Sequence, residues 1–482
     1  MLHVFRRRST VGVSNNWLRG GPPAFDGRWA AFLMLEGLSP DFQERVPLLS
    51  EQHLGQKEAL RQHLFVERQE ESIKKLAGSE LFAYICGANT ININKPNNMV
   101  NRFILNEVSY FGPGARKELP EVVKRFGFKK ALVVTDKGLM QFGVAKKVLD
   151  VLDEADIPYE VFDEVKPNPT VTNVKHGVKA LQDAEADFIV AIGGGSSMDT
   201  AKGVGIVANN PEFSDVVSLE GVADTKKKTV PIIALPTTAG TAAETTINYV
   251  IIDETKHKKM VCCDPNDIPV VAIVDAELMY SLPKSLTAAT GMDAMTHAIE
   301  GFITKAAWEL SDMFEIKAIS MIHKYLPIAV AEPTNPVGRD GMAVAQYVAG
   351  MAFSNVGLGV DHGMAHPMSA LHDVPHGVAC AILLPTVMRF NAPSALDKYV
   401  EIAKALEVWH EGMSREEAAD AACSEIQRMS AELGIPQHLS ELGITEADIP
   451  ELAEQAIADV CTPGNPREVT KQDIINMYKE IL

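Results

Sequence analysis

One aspartate and a group of histidines stand at spacings that could hold a metal ion. Asp293 and His297 are four residues apart in an apolar, helical stretch, so that a carboxylate and an imidazole lie on one face of a helix. Further along the chain, four histidines fall close together: His362, His366, His372 and His376. One carboxylate with several imidazoles suits a divalent transition ion that keeps open coordination positions. A hydrogen-bonded role is commoner for any one histidine, but the group as a whole predicts a metal site.

Two loops rich in glycine and threonine have the composition of a phosphate-binding cleft. Residues 193–202 (GGGSSMDTAK) follow an apolar run and begin a helical stretch, and residues 236–244 (PTTAGTAAE) follow another apolar run. Glycines let the backbone approach a ligand closely, and the N–H groups at a helix N-terminus attract an anion such as a pyrophosphate. Either loop alone could be a structural turn. Two such loops after strands of one sheet favour a nucleotide cleft.

Asp136 stands just after a third apolar run, residues 131–134. A carboxylate in this position can accept hydrogen bonds from the adenosine ribose hydroxyls of NAD and would repel the 2′-phosphate of NADP. The commoner role of a single aspartate in such a place is to cap the following helix. Asp136 is therefore predicted either to select NAD or to cap a helix.

The predicted secondary structure that positions these residues changes along the chain. From residue 99 to 284, short β-rich runs alternate with helical stretches, which predicts a Rossmann-like α/β domain that binds a dinucleotide. From residue 285 to 482 the periodicity is helical, which predicts an all-helical domain that binds the metal. Helix breaks are predicted at five prolines: Pro327, Pro333, Pro367, Pro385 and Pro436. Residues 1–98 lack regular alternation, and we predict that they are an atypical leader.

The composition disfavours several classes of protein. Sixty-three acidic against 45 basic residues give a formal charge of −18, which repels nucleic acids and anionic membrane surfaces. The six cysteines include no C-x-x-C pair, as is typical of reduced thiols in the cytoplasm. No apolar segment follows the arginines at positions 6–8, and none approaches the roughly 20 residues that span a bilayer. We predict a cytoplasmic protein without a signal peptide or a transmembrane helix.

Seven segments together carry a resemblance to the iron-containing (group III) alcohol dehydrogenases. They are residues 101–107, 167–169, 193–202, 236–241, 291–299, 354–359 and 464–467. The resemblance extends from about residue 99 to residue 482, and it implies the architecture that this family shares with dehydroquinate synthase. It also implies hydride transfer between NAD(H) and a small aldehyde or diol, and it is strongest toward the members that interconvert a 2-hydroxyaldehyde and a 1,2-diol. A homodimer is expected on the same ground.

The same resemblance assigns roles to individual residues. It implies a site for Fe²⁺, with Zn²⁺ as a possible substitute, whose ligands are Asp293, His297, His362 and His376. His366 is the expected catalytic residue, beside the nicotinamide. The residues expected to contact the cofactor are Asp136, Asn168, Gly194, Gly195, Ser196, Asp199, Thr237, Thr238, Thr241 and Lys259. Asn248 and Phe353 are expected to line the substrate pocket.

Three alternatives remain open at this stage. The chain departs from the pattern of its most similar relatives at Ser197, Met198, Asp361, His372 and Asp373. These differences leave the substrate open, so that a member acting on 1,3-propanediol, ethanol or butanol is one alternative. A metal-dependent lyase of the dehydroquinate synthase type is the second, although the helical half has no basic cluster to bind a phosphate. The third is a non-catalytic or filament-forming relative.

The first prediction concerns the leader. Because the family-like sequence begins at about Met99, we expect a protein of residues 99–482 to be soluble and active, and native protein to yield no peptides before Met99. Expression of that shorter chain beside the full chain, with mass spectrometry of the native protein, checks both points. An insoluble or inactive shorter chain would contradict the prediction.

Overall fold

Buried apolar runs form the centre of the first half of the molecule. The computed structural model describes residues 100–256 and 258–482, so that the predicted leader, residues 1–98, lies outside the described residues. Asn101–Leu482 form one unit, in which six parallel strands build one sheet with the order β1-β8-β5-β4-β2-β3. These strands are β1 (Val108–Phe111), β2 (Ala131–Val134), β3 (Tyr159–Phe162), β4 (Phe188–Gly193), β5 (Ile232–Pro236) and β8 (Val271–Val274).

Helices cover both faces of this sheet. They are α1 (Leu119–Phe126), α2 (Lys137–Gln141), α3 (Lys146–Glu154), α4 (Val171–Asp183) and α5 (Gly195–Asn209). Successive residues of a strand point to opposite faces, and here both sets are buried: Leu132 and Ala191 pack in one apolar cluster, Val133 and Val190 in another. A parallel sheet requires this cover, which explains why its strands read as continuous apolar runs rather than alternating ones.

The strand order opens a crevice between β2 and β4. The chain leaves β2 toward β3 on one side, then returns to β4 and continues to β5 on the other side. Ligands of open α/β sheets bind at such a reversal, outside the carboxyl ends of the strands. Asp136 follows β2 and the glycine-rich loop follows β4, so that two of the predicted cofactor segments lie at this crevice.

A two-stranded antiparallel hairpin, β6 (Asn248–Asp253) and β7 (Lys258–Cys263), lies against α5. The buried ammonium group of Lys202 attaches the start of the hairpin to this helix. Its Nζ donates to the backbone oxygens of Thr246 and Asn248, both at 2.7 Å. The lysine charge is thereby solvated by carbonyl dipoles inside the protein, as a buried charge requires.

The second half of the described chain is helical. Its helices are α6 (Lys284–Ile303), α7 (Glu309–Ala331), α8 (Pro336–Val356), α9 (Val360–His372), α10 (His376–Asn391), α11 (Leu396–Ala405), α12 (Arg415–Glu432), α13 (Ile449–Ile457) and α14 (Lys471–Glu480). Most of α6 is buried. Small residues bring its neighbours close: a Cβ at Gly291 would overlap Leu326 of α7, and one at Gly377 would overlap the backbone of Ala289 in α6.

The predicted proline breaks are only partly correct. Pro333 and Pro436 lie between helices, but Pro327, Pro367 and Pro385 lie inside α7, α9 and α10. A proline inside a helix removes one backbone hydrogen bond and costs about 3 kcal/mol. These three helices pack their apolar residues into large buried clusters, and that burial outweighs the local cost.

Within the described part of the chain, no single helix is long and apolar enough to cross a membrane. The segments α8 and α9 reach that length and composition only when they are taken together, and they are bent by 102° at their junction.

Candidate functional site

The four predicted metal ligands converge at one place in the helical half. Asp293 and His297 lie on α6, His362 lies in the first turn of α9, and His376 is the first residue of α10. From Oδ1 of Asp293 the distances are 3.9 Å to Nδ1 of His297, 3.9 Å to Nε2 of His362 and 3.8 Å to Nε2 of His376. One oxygen thus faces a nitrogen of each of three histidines.

Three of the four groups have an atom that lacks a partner within the described protein. Oδ1 of Asp293, Nδ1 of His297 and Nε2 of His362 are buried, and none of them has a hydrogen-bond partner among the described residues. Buried polar atoms are normally paired, because an unpaired one costs free energy of the order of 1 to 3 kcal/mol. Three orphaned donors that face one another fit a cation, and the combination of one carboxylate and imidazoles fits a divalent transition ion.

Glu300 fixes the orientation of His362. Its Oε2 accepts a hydrogen bond from Nδ1 of His362 at 2.7 Å, and its Oε1 accepts from the backbone N–H of Asp361, also at 2.7 Å. Because Nδ1 is used in this way, Nε2 is the nitrogen that faces Asp293. A carboxylate behind a ligating histidine is the usual way to fix its tautomer and ring orientation.

Burial shifts the pKa of the carboxyl and of two of the three histidines toward their neutral forms, so that His297 and His376 are neutral in the metal-free protein. It raises the pKa of Asp293 to about 6, an effect that His362 partly offsets. Burial also lowers the pKa of His297 and of His376 well below the usual value for histidine. For His362, burial alone would lower the pKa, but the hydrogen bond with Glu300 reverses the shift and raises it. Neutral imidazoles are the form in which histidine binds a metal.

His366 lies beside this group but has a different partner. Its Nδ1 is 2.8 Å from Oδ2 of Asp459, and its ring stacks on that of His376 with centroids 5.4 Å apart. The Nε2 atom is therefore the nitrogen left for a ligand in the cavity. His372, the fourth histidine of the predicted cluster, lies at the end of α9 and outside the lining of that cavity.

A cavity of about 420 Å³ connects the histidines with the loops of the α/β half. Among the predicted cofactor residues it is lined by Asn168, Gly195, Ser196, Asp199, Thr241 and Lys259. The predicted substrate-pocket residues Asn248 and Phe353 also line it, and Phe353 stacks on His297 with ring centroids 4.2 Å apart. The remaining predicted cofactor residues lie outside its lining: Asp136, Gly194, Thr237 and Thr238. Ser197, Met198, Asp361, His372 and Asp373, which depart from the family pattern, are also outside it.

The glycine-rich and threonine-rich loops contact each other directly. A Cβ added to Gly194 would lie 3.1 Å from Oγ1 of Thr238, and one added to Gly195 would lie 3.0 Å from Cγ2 of Thr241. The backbone N–H of Thr237 donates to the carbonyl of Gly193 at 2.9 Å. The two loops therefore form one surface at the carboxyl ends of β4 and β5, and the glycines are required for this close approach.

The charged residues predicted to contact the cofactor have structural partners as well. Oδ1 of Asp136 accepts from the backbone N–H of Leu139 at 2.9 Å and so caps α2. Asp199 accepts from the N–H of Val250 at 3.1 Å, and burial raises the pKa of this carboxyl to about 7. Burial lowers the pKa of Lys259. The helix-capping role of Asp136 is thus realised, and its predicted role in selecting NAD stays a prediction.

Sequence reasoning missed four residues that lie beside the histidines: Glu300, Cys380, Asp459 and Cys461. Glu300 and Cys380 could have been noticed, since Glu300 is three residues after His297 on α6, and Cys380 is four residues after His376 on α10. Such spacings keep side chains on one helix face. Asp459 and Cys461 lie in a loop far along the chain, and local spacing carries no signal for them.

Comparison with known proteins agrees with this geometry. Two protein-family sequence models match the chain. The family model "Iron-containing alcohol dehydrogenase" matches residues 106–276, and the family model "Fe-containing alcohol dehydrogenase family, C-terminal" matches residues 287–482. The chain belongs to the iron-containing alcohol dehydrogenase family. The predictions of the family, of an α/β domain followed by a helical region, and of an oxidoreductase of alcohols and aldehydes are confirmed.

Individual relatives cover nearly the same part of this alcohol dehydrogenase. It is 55% identical to lactaldehyde reductase of Escherichia coli (strain K12) over 380 residues, which are 79% of this chain and 99% of the relative. The crystal structure of a 1,3-propanediol oxidoreductase superposes with a TM-score of 0.78 at 41% identity and covers 80% of this chain and 100% of its own. Sulfoacetaldehyde reductase from Bifidobacterium kashiwanohense, solved in complex with NAD⁺, has a TM-score of 0.71 at 32% identity, with coverages of 80% and 99%.

The position of Asp136 leads to a prediction about the coenzyme. Asp136→Asn keeps a side-chain oxygen for the cap of α2 but removes the negative charge that would repel a 2′-phosphate. We expect kcat/KM with NADPH, relative to that with NADH, to rise about 10-fold, which corresponds to about 1.4 kcal/mol.

Steady-state kinetics with both coenzymes measures this ratio. Asp183→Asn, which removes an equally negative but exposed carboxylate on α4, controls for the change in net charge and should leave the ratio as it is. An unchanged ratio in Asp136→Asn would contradict the prediction.

Proposed function

We propose that this alcohol dehydrogenase reduces lactaldehyde to 1,2-propanediol with NADH and a divalent metal ion, normally Fe²⁺. The observation that carries the proposal is the shared cavity. Its lining includes His297, His362, His366 and His376 together with residues of the glycine-rich and threonine-rich loops. A hydride donor bound along those loops would reach toward the histidines, and the reacting groups would meet in a protected space.

The metal part of the proposal is supported by the chemistry of the donors. Asp293, His297, His362 and His376 would hold the ion, which leaves coordination positions for a substrate oxygen. A divalent ion bound there supplies Lewis-acid polarisation of the carbonyl, and NADH supplies the hydride. The protein's own contribution is to fix the donors, and the hydrogen bond from His362 to Glu300 does this for one of them.

The proton that completes the alcohol needs a separate route. His366 is suited to this task because Asp459 holds its Nδ1, so that Nε2 is directed away from that carboxylate and toward the cavity that the ring lines. Imidazole is the side chain most often used as a general acid or base near neutral pH. Phe353 forms an apolar wall against His297 and limits access of water to the same space.

The choice of substrate is supported by likeness to proteins of known activity. The relative at 55% identity is a lactaldehyde reductase, and this chain spans 99% of that relative. A 1,3-propanediol dehydrogenase of Citrobacter freundii is 42% identical, so 3-hydroxypropionaldehyde is the second candidate substrate. We further propose that the enzyme works as a homodimer in the cytoplasm, as many small-molecule enzymes do.

A panel of aldehydes tests the substrate. We expect anaerobically purified, ferrous-reconstituted enzyme to oxidise NADH with a kcat/KM for lactaldehyde at least about 10-fold above that for 3-hydroxypropionaldehyde or acetaldehyde. Lactaldehyde and 3-hydroxypropionaldehyde are isomers that differ in the position of the hydroxyl group, and acetaldehyde lacks this group. A site that hydrogen-bonds the hydroxyl at one position supports discrimination of at least this order. A preference for 3-hydroxypropionaldehyde would transfer the assignment to the second candidate.

Alanine variants test the roles at the metal end of the cavity. Asp293→Ala, His297→Ala, His362→Ala and His376→Ala should each lower metal occupancy and reduce turnover below detection, because the remaining donors hold an ion too weakly. His366→Ala should keep its metal, while kcat falls by about 10-fold to 10⁴-fold, the range for loss of an acid–base group.

Elemental analysis beside activity separates the two kinds of residue. His372→Ala is the matched control, because His372 belongs to the same sequence cluster but lies outside the cavity lining; it should keep both metal and activity. Metal loss in His366→Ala with retention in His362→Ala would reverse the assignment.

A further inference from the structure

Cys380 adds a sulfur atom to the group of buried donors. It lies on α10, one turn after His376, and its side chain is fully buried. Its Sγ is 3.8 Å from Nε2 and 3.9 Å from Nδ1 of His376. The thiol thus faces the same small space as the proposed metal ligands.

The distances among these donors are those of a single coordination sphere. One donor atom from each of Asp293, His362, His376 and Cys380 lies within 4.8 Å of all the others. Donors bound to one ion at about 2.0 to 2.3 Å can be at most about 4.6 Å apart. Inward shifts of less than about 1 Å would therefore bring all four atoms to bonding distance of one ion.

Other observations at the same place point to a cation. Oδ1 of Asp293 and Nε2 of His362 are buried and have no hydrogen-bond partner in the described part of the chain. Both atoms belong to the set that includes the sulfur of Cys380. The cysteine is therefore one member of a group of donors in which two others are orphaned and buried.

We propose that Cys380 is an additional, sulfur ligand of the metal ion and that it biases the site toward Zn²⁺ over Fe²⁺. Binding forms a sulfur–metal bond and breaks the S–H bond, with the proton released to water. Thiolate is a soft donor that favours zinc more strongly than a set of only oxygen and nitrogen does. The inference rests on the metal site of the proposed function. It adds a thiolate to the carboxylate and imidazole ligands of that site.

Cobalt substitution provides a readout that is independent of turnover. Co²⁺ loaded anaerobically into the full-length protein should give visible d–d bands, together with a near-ultraviolet band for charge transfer from thiolate to cobalt. Cys380→Ser and Cys380→Ala should keep the visible bands and lose the near-ultraviolet band. Cys423→Ser removes another buried thiol, one that packs in the core of the helical half, and it should keep both.

Each result of this experiment has a defined meaning. Bound cobalt without the near-ultraviolet band in the unmodified protein would overturn the role of Cys380 and leave the proposed function intact. A band that persists in Cys380→Ser would overturn it as well, because another thiol would then be the ligand. If the unmodified protein bound no cobalt, the metal site and the role of Cys380 would both be overturned. The spectrum of the unmodified protein decides the matter even if a variant fails to fold.

Metal competition tests the proposed bias. In Cys380→Ser we expect the Kd for Zn²⁺ to rise by at least about 10-fold, because loss of a direct ligand should weaken binding no less than loss of a residue that supports a ligand. The Kd for Fe²⁺ should change less. Elemental analysis after anaerobic equilibration with mixtures of the two ions measures the ratio. An equal change for both ions would contradict the bias toward zinc.

Discussion

The helical half depends on the burial of one carboxylate, that of Asp293. A buried carboxylate without a partner costs several kcal/mol, because its charge has lost the stabilisation of water. This cost appears as a pKa that burial raises to about 6. Three histidines place nitrogens within 4 Å of the carboxylate oxygen and offset part of it. Those histidines come from three different helices. The geometry of the site therefore depends on how α6, α9 and α10 pack against one another.

Small residues make this arrangement possible. At Gly377 a side chain would collide with the backbone of α6, and at Gly359 it would collide with Glu300. Because both positions are glycine, α9 and α10 begin directly against α6. Their first turns then bring His362 and His376 to Asp293 without long side chains having to bridge a gap. Rigid helix ends hold the donors more precisely than flexible loops would.

The parts of this molecule that could be predicted from sequence are those with a local signal. Apolar runs followed by Gly-rich or Thr-rich loops predicted the sheet and its cleft, and the spacing of Asp293 and His297 predicted one face of α6. Pro327, Pro367 and Pro385 were misread as breaks, because the gain from burying their helices is a tertiary effect that no local rule contains. Asp459 was missed for a related reason, since the hydrogen bond that it makes to His366 joins residues 93 positions apart.

The separation of the contacting residues also determines when the site can form in the cell. Glu300 contacts Asp361 and His362, which follow it by 61 and 62 residues. The Oγ1 of Thr304 at the end of α6 donates to the carbonyl of Gly464, 160 residues later. Synthesis proceeds from the N-terminus at about 5 to 20 residues per second, so the sheet can fold while the helical half is still being made. The proposed ligands and their supports then come together only as the last segments leave the ribosome. Binding of an ion by the proposed ligands would consequently follow synthesis of the helical half.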